Sequence, residues 1–291
     1  MDKMTVLITG SKGMLGSDLC QYLTSYTMHN IIPTSRKDMD ITKWEEVWNA
    51  IKKNQPDLII HTAAEANADL CEEDPHHAFL TNTMSTQFIA TSCRNLNIPL
   101  VFISTCGLFN GKKDSPYTEY DPLKPLTVYA KSKTKAEEAV RAIWGSHFII
   151  RPGWLFGGNI EHRKNFVAKI YSEAKGKDEL VSAADRFGSP TYTIDLARKI
   201  IEVVEMGVYG TYHIANFGMC SRFEYVSEIV KCIGLNIKIK PVDSSYFPRY
   251  APVPASEALE NYNLNLMGLN DMRSWREALH DYISARFLRS L

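Results

Sequence analysis

The chain has 291 residues, 45% of them hydrophobic, so it can bury a large core in one large domain or two modest ones. Its 33 basic and 33 acidic residues balance, which gives no sign of a nucleic-acid or anionic-membrane partner. The six cysteines are scattered, and neither a signal peptide nor an apolar run of ~18 residues is present, so we expect a cytoplasmic protein.

The first predicted elements have the order of a dinucleotide-binding unit. Residues 5–9 are a short β-rich apolar run, and Gly10, Gly13 and Gly16 follow before a helical pattern begins. The first glycine permits a tight bend, the second lets the backbone approach a pyrophosphate, and the third lets the helix pack close to the strand. The helix N-terminus adds unpaired N–H groups that attract phosphate. An ordinary glycine-rich turn is the alternative, but the strand–turn–helix order favours a nucleotide site.

The second predicted strand, residues 30–34, runs into a basic turn that contains Arg36. A cofactor without a 2′-phosphate is usually met near this point by an acidic residue, whereas the guanidinium of Arg36 and the ammonium of Lys37 suit a 2′-phosphate. The turn therefore favours NADPH, with NADH as the second choice, over a merely solvated basic loop. Asp40 and Ile41 are expected beside the adenine.

The third and fourth predicted strands end in residues suited to a ligand site. Ala63 and Ala64 follow the third strand, and their small side chains suit a ligand that lies over them. Thr105 ends the fourth strand, residues 99–105, at the edge where open α/β sheets bind ligands. Ser104 is its competitor, and because successive strand residues point to opposite faces, only one of the two faces the cofactor.

A charged segment, residues 69–77, lies between these strands. Its carboxylates and histidines lack the spacing of a metal site, so we expect a solvated helix start followed by one long helix over residues 77–95. Strands and helices alternate through this half of the chain, which predicts a parallel, doubly wound sheet.

Tyr129 and Lys133 stand four residues apart in a helical pattern, so their side chains share one face of a helix. An ammonium beside a phenol favours the phenolate and lowers the pKa of the tyrosine from its ordinary value of ~10. A tyrosine so tuned can give a proton to a carbonyl oxygen near neutral pH. Most such pairs lie on solvated helix surfaces, and here the nucleotide-binding context favours catalysis.

Together these motifs resemble the dTDP-4-dehydrorhamnose reductase family of the extended short-chain dehydrogenase/reductase superfamily. The resemblance also rests on residues 61–64, 69–72, 110–117, 151–154, 165–167, 185–191, 210–213 and 275–279. It implies an α/β fold: a Rossmann-type doubly wound parallel sheet with a smaller C-terminal α/β substrate-binding cap. The implied NADP-binding domain comprises residues 1–153 with about 190–220 and 270–291, and the cap comprises about 154–189 and 221–269.

Family members reduce the C4 ketone of a dTDP-linked 6-deoxy-hexose with NADPH, the last step to dTDP-L-rhamnose. By similarity, Tyr129 is the general acid, Lys133 binds the nicotinamide ribose, and Thr105 bonds to the sugar oxygen or to Tyr129. The residues expected to bind the cofactor are Gly10, Gly13, Met14, Leu15, Gly16, Arg36, Asp40, Ile41, Ala63, Ala64, Tyr129 and Lys133. The residues expected at the sugar are Thr105, Cys106 and Trp154.

The chain departs from the family pattern at several candidate sugar contacts. Cys106 and Gly107 stand where an acidic and an aromatic residue are usual, and Val253 stands where an arginine is usual. Gly153 and Arg222 replace an expected hydroxyl residue and an expected aromatic residue. A polar site that loses its partners discriminates differently, so the changes indicate a different sugar or stereochemistry.

Two alternatives therefore stay open beside the rhamnose reductase. One is a reductase or epimerase that acts on a different nucleotide sugar. The other is a non-catalytic NADP-binding regulatory subunit that resembles the β subunit of methionine adenosyltransferase. Some relatives use Mg²⁺ at a dimer contact, so a homodimer and Mg²⁺ dependence also stay open, although no residues here have metal-site spacing.

Overall fold

The structure, a computed structural model, describes residues 3–162 and 164–290 and has a six-stranded parallel sheet at its centre. The strands are β1 (Thr5–Thr9), β2 (Asn30–Thr34), β3 (Leu58–His61), β4 (Leu100–Ile103), β5 (His147–Pro152), β6 (Trp154–Phe156), β7 (Glu179–Ala183), β8 (Phe187–Gly188), β9 (Pro190–Tyr192), β10 (Gly210–Ile214), β11 (Cys220–Ser221), β12 (Lys238–Val242) and β13 (Ser256–Glu257). The helices are α1 (Met14–Tyr26), α2 (Trp44–Asn54), α3 (Ala68–Glu73), α4 (Pro75–Phe79), α5 (Ser85–Leu96), α6 (Val128–Ile143), α7 (Phe166–Ala174), α8 (Thr193–Met206), α9 (Arg222–Ile233), α10 (Tyr262–Leu266) and α11 (Trp275–Tyr282).

The central sheet has the strand order β10-β5-β4-β3-β1-β2, with every neighbouring pair parallel. The order reverses between β1 and β3, so the connecting helices cover both faces of the sheet. Such a reversal leaves a crevice at the carboxyl ends of the two strands, which is where doubly wound sheets bind ligands.

The central strands are apolar without interruption because both of their faces are buried. Val6 and Ile8 of β1 pack into a core cluster with α1 and α8, whereas Leu7 packs on the other face with α2, α5 and α6. This arrangement confirms the predicted doubly wound parallel sheet.

A smaller α/β part contains a second core and three small sheets. These sheets are β11–β8–β13, the parallel pair β12–β7 and the parallel pair β6–β9. Its core is rich in aromatic side chains, among them Phe156, Tyr225, Trp275 and Tyr282. The domain limits stay a prediction. Helix α11 packs into this second core, although residues 270–291 were assigned to the NADP-binding domain.

Two predicted elements have different limits in the structure. Strand β4 ends at Ile103, so Thr105 lies just beyond it rather than within it. The single helix predicted over residues 77–95 is divided into α4, a π-helical turn over Leu80–Met84, and α5. The turn presents Asn82 and Thr83 to α6, where both make hydrogen bonds. Such π-helical turns occur frequently at functional sites.

Within the described ranges, no helix combines the length and the apolar character that crossing a bilayer requires.

Candidate active site

The glycine turn, residues 10–16, forms a backbone cradle at the carboxyl end of β1. Gly10 has a φ of +67°, which glycine tolerates, and an added Cβ there would lie 2.8 Å from the Ala63 nitrogen. A Cβ on Gly16 would lie 2.2 Å from the Gly10 carbonyl oxygen, so α1 can begin this close to β1 only with glycine. Gly13 caps α1 without a side-chain hydrogen bond, so the first N–H groups of the helix face the crevice without that partner.

An open cleft runs from the glycine turn along the ends of β1, β2 and β3. It is lined by seven residues predicted for the cofactor: Gly10, Gly13, Arg36, Asp40, Ile41, Ala63 and Ala64. The predicted residues Met14, Leu15 and Gly16 are instead the first residues of α1, where their contribution would be backbone N–H groups.

The cleft also has lining residues that the sequence did not single out. These are Thr9, Thr34, Ser35, Met39, Thr42, Thr62, Glu65, His77 and Thr81. Thr9, Thr34 and Thr62 end or directly follow strands, so the strand-end rule could have found them. No local signal marks His77 or Thr81, which the α4 segment and the π-helical turn bring to the cleft.

Arg36 lies beyond the end of β2 with 79% of its side chain exposed and an ion-pair distance of 3.7 Å to Asp40. The neighbouring acid, Asp38, accepts hydrogen bonds from the Ser35 N–H at 2.8 Å and from the Ser35 hydroxyl at 2.6 Å. The Asp38 carboxylate is therefore engaged within its own turn, while the guanidinium stands at the cleft.

The three predicted catalytic residues come together at the carboxyl end of the sheet. The Thr105 hydroxyl lies beside the Tyr129 phenol and accepts a hydrogen bond from the Gly107 N–H at 3.2 Å. Lys133 is buried one turn further along α6. Its ammonium donates to the Ile103 carbonyl oxygen at 2.6 Å and lies 4.0 Å from the centroid of the Phe102 ring in β4.

The electrostatics differ from the prediction at Tyr129. Burial raises the pKa of Tyr129 above its ordinary value, and the hydrogen bond from Thr105 offsets only part of this rise. Burial lowers the pKa of Lys133 to about 7, while the charge of Glu137 acts in the opposite direction. The prediction that Lys133 lowers the pKa of Tyr129 is wrong here, because the ammonium is directed at Ile103 and desolvation dominates.

Distant segments hold the start of α6 in place. The Glu72 carboxylate accepts from the Val128 N–H at 2.7 Å, and the Asn82 amide donates to the Ser132 hydroxyl at 2.9 Å. The Asp69 carboxylate similarly accepts from the Ala251 N–H at 2.9 Å. The charged segment over residues 69–77 begins helices α3 and α4 and exposes Glu73, Asp74 and His76, as a solvated helix start would. Asp69 and Glu72 differ from that prediction, because their carboxylates bind backbone of other elements. In the part of the chain that the structure describes, no group of His, Cys, Asp or Glu side chains could hold a metal ion.

A buried ion pair supports α6 from behind. Both oxygens of Glu137 accept from Arg151 of β5, at 2.9 and 2.7 Å, and Arg141 adds a contact at 2.8 Å. Burial alone would raise the pKa of Glu137, but the hydrogen bond and charge of Arg151 outweigh it and hold the pKa at about 2. The pair fixes α6 against the central sheet.

Opposite Thr105 lies a group that we call the Trp154 cluster, which comprises Trp154, Gly188, Arg222 and Glu257. The three-stranded sheet β11–β8–β13 assembles it, since Glu257 pairs in register with Gly188 and Arg222 directly follows β11. The Trp154 N–H donates to Glu257 Oε2 at 2.8 Å, and the Arg222 guanidinium lies 3.5 Å from the ring centroid. A Cβ on Gly188 would lie 2.2 Å from the Trp154 ring, so the indole packs directly on the backbone of β8.

The structure changes how Cys106 and Gly107 are interpreted. Cys106 is buried in a small apolar cluster with Phe109 and Leu259, so its predicted contact with a sugar stays a prediction. A carboxylate does stand at this point, because Glu257 Oε1 lies 3.1 Å from where a Cβ on Gly107 would be. A carboxylate from a segment far along the chain thus lies beside Gly107, the position where the family pattern has an aromatic residue.

A doubly wound sheet, a glycine turn at its switch point and a Thr–Tyr–Lys group at its carboxyl edge define the extended short-chain dehydrogenase/reductase class. The family model described as the RmlD substrate binding domain matches residues 4–287. The chain is 35% identical to the spore coat polysaccharide biosynthesis protein SpsK of Bacillus subtilis (strain 168), with 97% of each chain covered.

Two solved structures agree with this match. A dTDP-4-dehydrorhamnose reductase from Clostridium acetobutylicum is 34% identical, with a TM-score of 0.92 and coverage of 97% of this chain and 99% of the other. The enzyme of that name from Bacillus anthracis, solved in complex with NADP, is 31% identical, with a TM-score of 0.92 and coverage of 98% and 100%. The chain belongs to the dTDP-4-dehydrorhamnose reductase family and is an oxidoreductase, as its motifs predicted.

Proposed function

We propose that this protein uses NADPH to reduce the C4 ketone of a dTDP-4-keto-6-deoxy-hexose, with dTDP-4-dehydrorhamnose as substrate and dTDP-L-rhamnose as product. The observation that carries the proposal is that Thr105, Tyr129 and Lys133 come together at the carboxyl end of the same sheet whose glycine turn lines the cleft. The names of the two structural neighbours, one of them solved with NADP, support the same reaction.

The cleft fits a dinucleotide with a 2′-phosphate. The backbone at Gly10 lies so close to Ala63 that a methyl group on Gly10 would collide with it. A backbone without side chains at this point is what a pyrophosphate-binding turn needs. The N-terminus of α1 would hold the pyrophosphate, and Arg36 would contact the 2′-phosphate. Bound NADPH supplies the hydride, and the protein orients the two reactants.

The catalytic group would then act on the ketone oxygen. The Thr105 hydroxyl would donate a hydrogen bond to this oxygen and hold the oxygen next to Tyr129. Because burial raises its pKa, the Tyr129 phenol keeps its proton near neutral pH and can donate it to the oxygen as the carbonyl is reduced. Lys133, anchored on Ile103, would contact the nicotinamide ribose.

The first test follows the absorbance of NADPH with dTDP-4-dehydrorhamnose generated in the same tube by the upstream enzymes. We expect oxidation of NADPH and formation of dTDP-L-rhamnose. Tyr129→Phe should retain NADPH binding by calorimetry and lose about 10³-fold in kcat, because it removes only the proton donor. Tyr26→Phe, on an exposed ring near the end of α1, is the matched control and should behave as wild type.

Two results would contradict the proposal in different ways. Unchanged kcat in Tyr129→Phe would show that another group is the acid. Tight NADPH binding without oxidation in the wild type would favour the alternatives: an epimerase, which causes no net oxidation of NADPH, or a regulatory subunit. Detection of an epimerised product would separate those two.

A further inference from the structure

The Trp154 cluster keeps a carboxylate and a guanidinium close without pairing them. Arg222 stacks on Trp154 and lies 4.8 Å from the Phe166 centroid, which fixes its plane between two rings. Glu257 is the main source of the attraction felt by Arg222, yet among the described residues no carboxylate lies within 4.0 Å of this guanidinium. The two charged groups therefore both contact the Trp154 indole and do not form an ion pair with each other.

Only one of the two carboxylate oxygens of Glu257 has a hydrogen bond within the described chain. Oε2 accepts from the Trp154 indole, which fixes the orientation of the carboxylate. Oε1 is directed toward Gly107, and a Cβ there would lie 3.1 Å from Oε1 and 3.6 Å from the Thr105 hydroxyl oxygen. Glu257 Oε1 and Thr105 thus border the same small region, and glycine at 107 leaves it open.

We propose that Glu257 is a specificity-determining residue of the substrate pocket, whose Oε1 accepts a hydrogen bond from a sugar hydroxyl on a carbon next to the ketone. This inference rests on the proposed function, because it places the ketone oxygen at Thr105 and Tyr129. The ketone oxygen and a hydroxyl oxygen on the adjacent carbon of the sugar lie close together. One hydrogen bond of ~2.8 Å from the ketone oxygen to Thr105 and another from the hydroxyl to Glu257 would then bridge the region between these two residues. Arg222 is a positioning residue that holds the indole to which Glu257 is bonded.

A carboxylate at this place selects for a donor. An ionised carboxylate can only accept hydrogen bonds, so it favours a sugar with a hydroxyl on the carbon next to the ketone. When hydrogen replaces this hydroxyl, the buried carboxylate is left without a hydrogen-bond donor from the substrate. Burial raises the pKa of Glu257 above its ordinary value, and the hydrogen bond from Trp154 and the charges of Arg222, Arg249 and Arg186 offset only part of this rise. The pocket should therefore reject sugars deoxygenated beside the ketone more strongly than a neutral pocket would.

The test compares kcat/KM for the hydroxylated 4-keto sugar with that for the analogue deoxygenated at C3. The wild type should prefer the hydroxylated sugar by about 100-fold, as expected for a hydrogen bond to a charged group. Glu257→Gln, which keeps an oxygen for Trp154, should reduce this preference to less than about 10-fold with NADPH affinity unchanged. Glu173→Gln, on the exposed face of α7, is the matched control and should keep the wild-type preference.

A double-mutant cycle tests the geometry. Gly107→Ala should displace the Glu257 carboxylate and reduce the same preference, because its methyl group would lie 3.1 Å from Oε1. In the Glu257→Ala background the same substitution should have little further effect on the preference, since the displaced group is gone. Thermal unfolding of each variant shows whether the protein remains folded.

The outcomes separate this inference from the proposed function. An unchanged preference in folded Glu257→Gln overturns the role of Glu257, even if wild-type turnover is as proposed. If the wild type oxidises no NADPH with either sugar, the proposed function fails. Calorimetry with dTDP-L-rhamnose then decides: weaker binding by Glu257→Gln than by wild type supports the contact, and equal or absent binding overturns it.

Discussion

The glycine turn and the Trp154 cluster are built from different kinds of groups. The glycine turn is backbone and small side chains from residues that are close together in the chain. The Trp154 cluster consists of large aromatic and charged side chains from four segments, joined by the sheet β11–β8–β13.

The difference determines what each region can change. A cradle made of backbone works for any member of the class that binds a pyrophosphate, and it tolerates almost no added atoms. A wall made of side chains can exchange one charged or aromatic group for another without altering the strands that carry it. We therefore expect the substrate preference of this chain to differ from that of its relatives more readily than its cofactor preference does.

The largest expected effect is a loss of stability when Glu137, on helix α6, is changed. Glu137→Gln should lower the free energy of unfolding by about 3 kcal/mol at pH 7, because it leaves the buried Arg151 without a charged partner. Urea unfolding measures this loss. Glu138→Gln, an exposed neighbour on the same helix, should change stability by less than about 0.5 kcal/mol. Calorimetry should show similar small losses of NADPH and sugar affinity, since α6 serves both regions.

The same pair predicts a pH dependence. The pKa of Glu137 is about 2 in the folded protein and 4.5 ordinarily, so its contribution is fully present above pH ~4.5 and is lost as the pH falls toward 2. The difference in unfolding free energy between wild type and Glu137→Gln should shrink over this range. A difference that stays constant from pH 7 to pH 3 would show that charge is not its origin.

The next effect tests the backbone cradle. Gly10→Ala should weaken NADPH binding by about 100-fold in calorimetry, because the added methyl group meets Ala63 and must move the wall of the cleft. Gly176→Ala is the matched control, since Gly176 also has a positive φ, +77°, but has nothing within 4 Å of an added Cβ. Equal NADPH affinity in the two variants would show that the close approach of Gly10 to Ala63 does not affect cofactor binding.

A smaller effect, on the KM for the nucleotide sugar, is expected when a methyl group is added to the glycine of the Trp154 cluster. Gly188→Ala should displace the indole and raise the KM for the nucleotide sugar by about 10-fold, with NADPH affinity within about 2-fold of wild type. Gly145→Ala, where an added Cβ meets nothing within 4 Å, should leave both values unchanged. An equal loss for sugar and cofactor would show that the two regions are not independent.

The last effect, of similar size, concerns Arg36. Arg36→Ala should weaken NADPH binding by about 10-fold and leave NADH binding almost unchanged, because only NADPH carries the 2′-phosphate. Calorimetry with both cofactors measures the two losses, and Lys53→Ala, at an exposed position near the end of α2, serves as the control. A similar loss for NADH would assign Arg36 to the general charge of the cleft.

The sequence predicted the cofactor half well because its signals are local. The limits of β1 and β2, the glycine turn and the Tyr129–Lys133 spacing all follow from runs of a few residues. The sequence could not predict that the helix near Asn82 contains a π-helical turn or that burial raises the pKa of Tyr129. Both depend on which elements pack around these residues.

By itself the sequence determined the order of strands and helices, the family and the presence of the Thr105, Tyr129 and Lys133 side chains. Only the tertiary structure decided that Glu257 occupies the space beside Gly107, and that Arg222 and Trp154 hold it there. The physical reason is the range of the interactions. Turn chemistry and periodicity act over a few residues, whereas this juxtaposition depends on pairing β8 with two strands that are distant in the chain.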